Sequence, residues 1–228
     1  MTNKSNKALV LLSGGLDSSV VLSICSKKEY QIHAISFDYG QRHKIELENA
    51  KWQAKYFKCK KHKIFKIDFY GGSALTDNIE VPLNRSVKSI PEEIPITYVP
   101  SRNLVFLSFA CGYAEVNDID HIFLGVNSLD YSGYPDCRKE FISGFEKLIN
   151  ISTKKGLERE KFKIYTPLID MTKKEIIMLG KKNNVNFSMT LSCYNPENSV
   201  VCGKCDSCLL RKKGFEEASL TDPLMKVL

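Results

Sequence analysis

Two stretches of this chain bring together residue types that do chemistry. In "SGGLDSS", Ser13 to Ser19, two glycines, an aspartate and three serines fill one turn between an apolar run and an apolar helical pattern. Gly14 and Gly15 can take positive φ and let backbone approach a ligand closely. Ser13, Ser18 and Ser19 offer hydroxyl donors. The helix that follows presents unpaired N–H groups and a partial positive charge, which suits an anion. The turn fits neither G-x-x-x-x-G-K-[ST] nor G-x-G-x-x-G. Lacking the Walker lysine, it is suited to a phosphate group that departs rather than to transfer of a terminal phosphoryl. Asp17 beside an anion must cap the helix, orient the loop or meet magnesium.

The second stretch is "SCYNPENSVVCGKCDSCLLR". An eight-residue spacer separates Cys193 from a C-x-x-C-x-x-C run of Cys202, Cys205 and Cys208. Four thiolates so close in sequence can surround a zinc ion tetrahedrally. The same spacing leaves an iron–sulfur cluster open as the alternative. Zinc is the expectation, one ion per chain in a structural role, since no coordination position remains for water. Such a site contributes on the order of 10 kcal/mol of apparent binding energy to folding. Gly203 and Lys204 permit the turn between ligands and partly offset the thiolate charge. Cys25, Cys59 and Cys111 read as packing residues.

Strand and helix patterns alternate around these motifs. "ALVLL", "IHAISFD", "HKIFKIDF", "HIFLGV" and "FKIYTPL" read as buried strands. Helical spacing follows Asp17, runs from His43 to Phe57, and returns at Phe141 to Ile149. "NLVFLSFACGYAEV" is apolar nearly all round, which predicts a helix buried between layers. Thr172 to Glu175 spells a capping box that opens a helix through Lys182. The pattern predicts an α/β fold, a Rossmann-like doubly wound parallel sheet with a small C-terminal zinc-binding segment. Residues 1–185 would form the α/β domain. Residues 186–228 would carry the cysteines and a terminal helix packed on that domain. Gly71 to Pro100, with four prolines and no periodicity, reads as a cover over the pocket or as plain disorder.

A third motif, "LGVNSLDYSGYPDCR" from Leu124 to Arg138, begins where a strand ends, the place where open α/β sheets bind ligands. Its aromatic faces can stack on a purine-like ring. Asp130 or Asp136 can accept from a ring N–H and an exocyclic amine, and Arg138 can pair with a carboxylate. "SGGLDSS" is similar to the pyrophosphate loop of the ATP pyrophosphatases (PP-loop proteins, adenine nucleotide alpha-hydrolase-like), which split ATP between its α- and β-phosphates. Taken with "FDYGQRH", "VPSRN" and the cysteines, in order from Leu12 to Arg211, the chain resembles the 7-cyano-7-deazaguanine synthase family of queuosine biosynthesis.

That resemblance implies an ATP-dependent ligase acting on 7-carboxy-7-deazaguanine and ammonia. It implies ATP binding along Leu12, Ser13, Gly14, Gly15, Leu16, Asp17, Ser18, Ser19, Val20, Val21 and Leu22. Asp38 would meet ribose or magnesium, and Arg42 and Arg102 the charge developing on the phosphates. Asp17, Ser18 and Arg102 would be catalytic. Asn127, Asp130, Tyr131, Tyr134, Asp136 and Arg138 would bind the deazapurine. No general base is assigned, and Cys137 is read as lining the pocket rather than as a nucleophile.

With 228 residues, 43% hydrophobic and 26% charged, the composition is that of one large soluble domain. A net charge of +7 suits an anionic ligand, yet the basic residues are scattered. "KCKKHK" (58–63) and "RKK" (211–213) read as solvated helix ends, not a polynucleotide groove. The expected partners are therefore small molecules, with no nucleic acid and no membrane. No leader or spanning segment is evident, so cytoplasmic placement is expected, and the resemblance is compatible with a homodimer. Two rivals remain: a PP-loop tRNA thiolase with an iron–sulfur cluster, and a non-catalytic zinc-ribbon module that binds nucleic acid.

Overall fold

The computed structural model describes residues 6–42, 45–85, 93–128, 133–158, 161–196 and 200–225. Its centre is a five-stranded parallel sheet in the order β3-β2-β1-β4-β5. The strands are β1 (Lys7–Leu11), β2 (Gln31–Asp38), β3 (Lys61–Lys66), β4 (His121–Phe123) and β5 (Lys163–Tyr165). β1 pairs with both β2 and β4, so the chain's direction of winding reverses between β1 and β4. Ligands of such sheets bind at that reversal, beyond the strands' carboxyl ends.

The continuous apolar character of β1 follows from burial on both faces. Leu9 and Leu11 pack with Leu107, Ala110 and Ala114 of α3 (Arg102–Val116) and with Ile142, Phe145 and Ile149 of α4 (Lys139–Ser152). Ala8, Val10 and Leu12 face the other way. They meet α1 (Leu16–Lys27), α2 (Ile45–Tyr56), α6 (Lys173–Lys182) and α7 (Asp206–Glu217). The short α5 (Lys154–Leu157) has too few residues to show a periodicity. The capping box opens α6: Glu175 N–H donates to Thr172 Oγ1 at 3.3 Å, and Thr172 N–H to Glu175 Oε2 at 2.8 Å. A cap of this kind is worth about 1 kcal/mol.

Two expectations need correction. α3 is not enclosed on all sides: Leu104, Phe109 and Val116 are exposed. Composition reports apolarity but not which face meets a neighbour. Arg211 is no solvated cation, being 3% exposed. Its guanidinium donates to both Asp222 oxygens at 2.7 and 2.9 Å, and to the carbonyls of Phe187 and Thr190 at 3.0 and 3.1 Å. A charge can be buried where it is paired and its donors are satisfied; this one fastens α7 to the preceding loop.

Within 71–100, Ser73, Ala74, Val81, Thr97 and Val99 are buried, whereas Ile94 and Ile96 are exposed. Leu83 forms an antiparallel bridge with Cys205, and Ala74 N–H donates to the Ile96 carbonyl at 3.0 Å. Among the described residues, no helix is long and apolar enough to cross a membrane.

Candidate active site

The turn after β1 is held by its own serines. Ser13 Oγ accepts from Gly15 N–H at 3.2 Å and shares a hydrogen bond of 3.0 Å with Ser18 Oγ. Ser18 Oγ also accepts from Ser13 N–H at 3.2 Å. Gly14 has φ of +88°, and a Cβ there would stand 2.0 Å from the Glu46 carbonyl oxygen. Only glycine fits that backbone and that gap. Gly15 has an ordinary φ of −78° and precedes α1 with no side-chain cap of its own, while Leu16 N–H donates to Ser192 Oγ at 3.5 Å; a helix start of this kind suits an anion.

Asp17 neither caps α1 nor stands alone. Both its oxygens accept from Lys173 Nζ, at 2.8 and 3.0 Å. Lys173 opens α6 and runs over Gly214 of α7, where a Cβ would lie 2.5 Å from the lysine's Cγ. The loop thus acquires a lysine from 156 residues away in sequence. No local spacing could reveal it, and sequence reading passed it over.

Ser13, Gly15, Asp17 and Ser18 line one cavity together with Arg42, Arg102, Asn127 and Tyr134. Arg102 begins α3, and its guanidinium donates to the Tyr39 phenol. Tyr134 shares a 2.7 Å hydrogen bond with Thr97 Oγ1 and another with Tyr194. Asn127, 2% exposed, donates to the carbonyls of Leu168 and Met171 at 2.8 and 2.5 Å, so its amide ties the β4 loop to the approach to α6. Arg42 donates to the Ile79 carbonyl at 3.1 Å and holds the 71–85 segment at the rim.

Glu46 also faces the cavity, and sequence reading missed it, since helix α2 showed only a packing stripe. Burial pushes its carboxyl up to about 7, against the opposing pull of Arg102. Cys137 lines the cavity as expected. Burial pushes its thiol up to about 12, so it stays protonated and is a poor nucleophile.

Other expected residues lie elsewhere. Val20, Val21 and Leu22 are fully buried in the core, and Ser19 donates to the Gly15 carbonyl at 2.9 Å inside α1. Leu12 and Leu16 reach the cavity wall, whereas Gly14, Asp38, Asp136 and Arg138 do not. Asp136 Oδ2 accepts from the Asn103 N–H at 3.0 Å, which caps α3 from a remote loop. Arg138 is exposed at the start of α4. Asp130 and Tyr131 lie outside the described residues.

The Sγ atoms of Cys193, Cys202, Cys205 and Cys208 lie within 4.8 Å of one another. Tetrahedral zinc with bonds of about 2.3 Å would set sulfurs about 3.8 Å apart, so the four residues fit a single ion. A four-iron cluster binds each thiolate to a different iron and spreads them further. Backbone N–H groups of Tyr194, Cys202, Lys204 and Cys205 donate to the sulfurs of Cys205, Cys193 and Cys202 at 3.3 to 3.4 Å. The knot touches the site directly. Ser192, Cys193 and Tyr194 line the cavity, and Leu191 N–H donates to the Gly14 carbonyl at 3.1 Å.

Residues 7–219 match the family model described as queuosine biosynthesis protein QueC. The chain belongs to that family. The 7-cyano-7-deazaguanine synthase of Acetivibrio thermocellus is 55% identical over 219 residues, covering 96% of each chain. That of Desulfatibacillum aliphaticivorans is 52% identical over 224 residues, again covering 96% of each. Among solved structures, NMN synthetase from Francisella tularensis aligns with 95% of this chain and 74% of its own. Its TM-score of 0.50 and 15% identity show a shared fold alone. In this member of the QueC family, the loop, Tyr134 and the segment carrying Cys193 border one cavity.

Proposed function

We propose that this chain is an ATP-dependent ligase that converts 7-carboxy-7-deazaguanine and ammonia to 7-cyano-7-deazaguanine, releasing AMP and pyrophosphate. The supporting observation is the serine-glycine loop opening onto the same cavity as Arg42, Arg102 and the Asn127–Tyr134 wall. One pocket can then hold a triphosphate and a planar acid together.

A carboxylate and ammonia merely exchange a proton at neutral pH. The carboxylate oxygen must attack the α-phosphorus of ATP before its carbon can accept nitrogen. Ser13, Gly15, Ser18 and the N–H groups at the start of α1 hold the departing pyrophosphate. Asp17 holds Lys173 at the loop, where its charge can meet the same anion. Arg42 and Arg102 balance charge that grows on the phosphates, which such preorganised groups do best. Tyr134 and Asn127 place the deazapurine. After ammonia displaces AMP, a second ATP adenylates the amide oxygen with release of a second pyrophosphate, and loss of AMP together with the two nitrogen-bound protons leaves the nitrile.

Magnesium enters on the nucleotide, since it is bound chiefly through substrate phosphates. Zinc held by Cys193, Cys202, Cys205 and Cys208 would be structural, steadying a segment whose Leu191 N–H donates to the Gly14 carbonyl of the loop. Small molecules are the only partners this chemistry requires; neither nucleic acid nor membrane takes part.

Incubation with ATP, ammonium and the carboxy-deazaguanine, followed by mass analysis, tests the reading. AMP and the nitrile are expected. ADP in place of AMP would refute it.

A further inference from the structure

The proposed reaction needs a proton acceptor. Ammonium, the main form of ammonia at neutral pH, has no lone pair and cannot attack an acyl carbon. Asp17 is engaged by Lys173 and Asp136 by the start of α3, so neither carboxylate is available for this task.

Glu46 is placed for it. It stands in the first turn of α2, half-buried on the cavity wall. Its backbone is fixed against the phosphate loop by the close approach of Gly14. Glu46 and Arg102 line the same cavity, and the arginine's charge favours the carboxylate form. Among the described residues, no hydrogen-bond donor occupies that carboxylate. A carboxylate with no hydrogen-bond donor among the described residues, on the cavity wall shared with the loop that would hold ATP, can receive a small cation.

Resting on the reading above, we propose that Glu46 is a catalytic base that receives ammonium beside the activated acyl group and removes its proton. One proton passes from ammonium to a Glu46 oxygen and frees the nitrogen lone pair. That pair forms the C–N bond to the acyl carbon. The tetrahedral adduct breaks its bond from carbon to the oxygen that carries phosphorus, and AMP leaves with that electron pair. The surplus proton on nitrogen passes to water, and Glu46, partly open to solvent, releases its own before the next cycle.

The surroundings suit the role. Burial raises the carboxyl to about 7 while Arg102 opposes the shift, so both protonation states are populated near neutrality. The other titratable groups lining this cavity are Tyr39, whose phenol burial also raises, and Asp17, Arg42, Tyr134, Cys137, Cys193 and Tyr194.

The test compares the wild-type chain with E46Q in two assays. Exchange of labelled pyrophosphate into ATP, driven by the carboxy-deazaguanine, reports adenylation alone. Formation of amide and nitrile from ammonium reports nitrogen addition. E46Q should keep exchange within a few fold and lose roughly 100-fold or more of nitrogen addition. Hydroxylamine, largely unprotonated at neutral pH, should restore part of that loss. If E46Q adds nitrogen at near wild-type rate, or loses exchange and addition equally, the proposal fails while the ligase reading stands. A wild-type chain that makes no AMP overturns both.

Discussion

Lys173 reaches Asp17 because Gly214 has no side chain to block its stem. Two substitutions probe the contact from opposite ends. Lys173→Met removes the cation and leaves a half-buried carboxylate unpaired, which should cost about 1–3 kcal/mol and weaken ATP use. Gly214→Ala keeps the cation but displaces its stem, so urea unfolding and turnover should both fall, by less than in Lys173→Met. Equal, wild-type kinetics in both would remove Lys173 from the site. Glu46 carries a pH signature of its own. Its folded carboxyl lies near 7, above the ordinary 4.5. Stability from this group is therefore fully present below about pH 4.5 and is lost as pH rises through about 7. E46Q, which cannot ionise, should be at least as stable as wild type at pH 8 in thermal melts. Its loss of turnover then would not reflect unfolding.

At the scale of elements, the cysteine knot and the phosphate loop form one unit. The hydrogen bond from Leu191 to Gly14, and the bridge of Leu83 to Cys205, link the knot to the loop and to the 71–85 segment. Removing the metal with a chelator, or changing Cys202 to Ser, should lower the melting temperature and also raise the KM for ATP. A chelated chain with unchanged ATP affinity would separate the knot from the site. Arg211 plays a similar part for α7. Asp222→Ala leaves a buried guanidinium without its counter-charge and should cost roughly 3–5 kcal/mol in urea unfolding. These couplings were only partly legible beforehand. The four cysteines announce a metal because all the ligands are local in sequence. That the cysteine knot meets the "SGGLDSS" turn follows from a long-range backbone contact, Leu191 to Gly14, which no spacing encodes.

At the scale of the molecule, the strand order does the positioning. Placing β1 between β2 and β4 brings the "SGGLDSS" turn and the loop after β4 to one crevice. Buried strands read clearly because both faces of a parallel sheet are covered, and "ALVLL" could be little else. The "SGGLDSS" turn read clearly as a strand-to-helix turn too, since its glycines and serines sit in seven consecutive residues. Substrate-side residues read poorly. Asp136 looks like a ligand in a polar loop, yet it caps a helix that folding brings beside it. Glu46 and Lys173 look like surface residues, yet folding turns them toward the loop. Polar side chains have both fates, and tertiary contacts decide between them.

The most direct measurement follows one oxygen atom. 7-Carboxy-7-deazaguanine labelled with oxygen-18 in its carboxylate is turned over with ATP and ammonium, and the phosphate products are weighed. Adenylate transfer to the acid oxygen predicts oxygen-18 in AMP and none in pyrophosphate. Label in pyrophosphate or inorganic phosphate, or unlabelled AMP beside labelled water, would contradict the account.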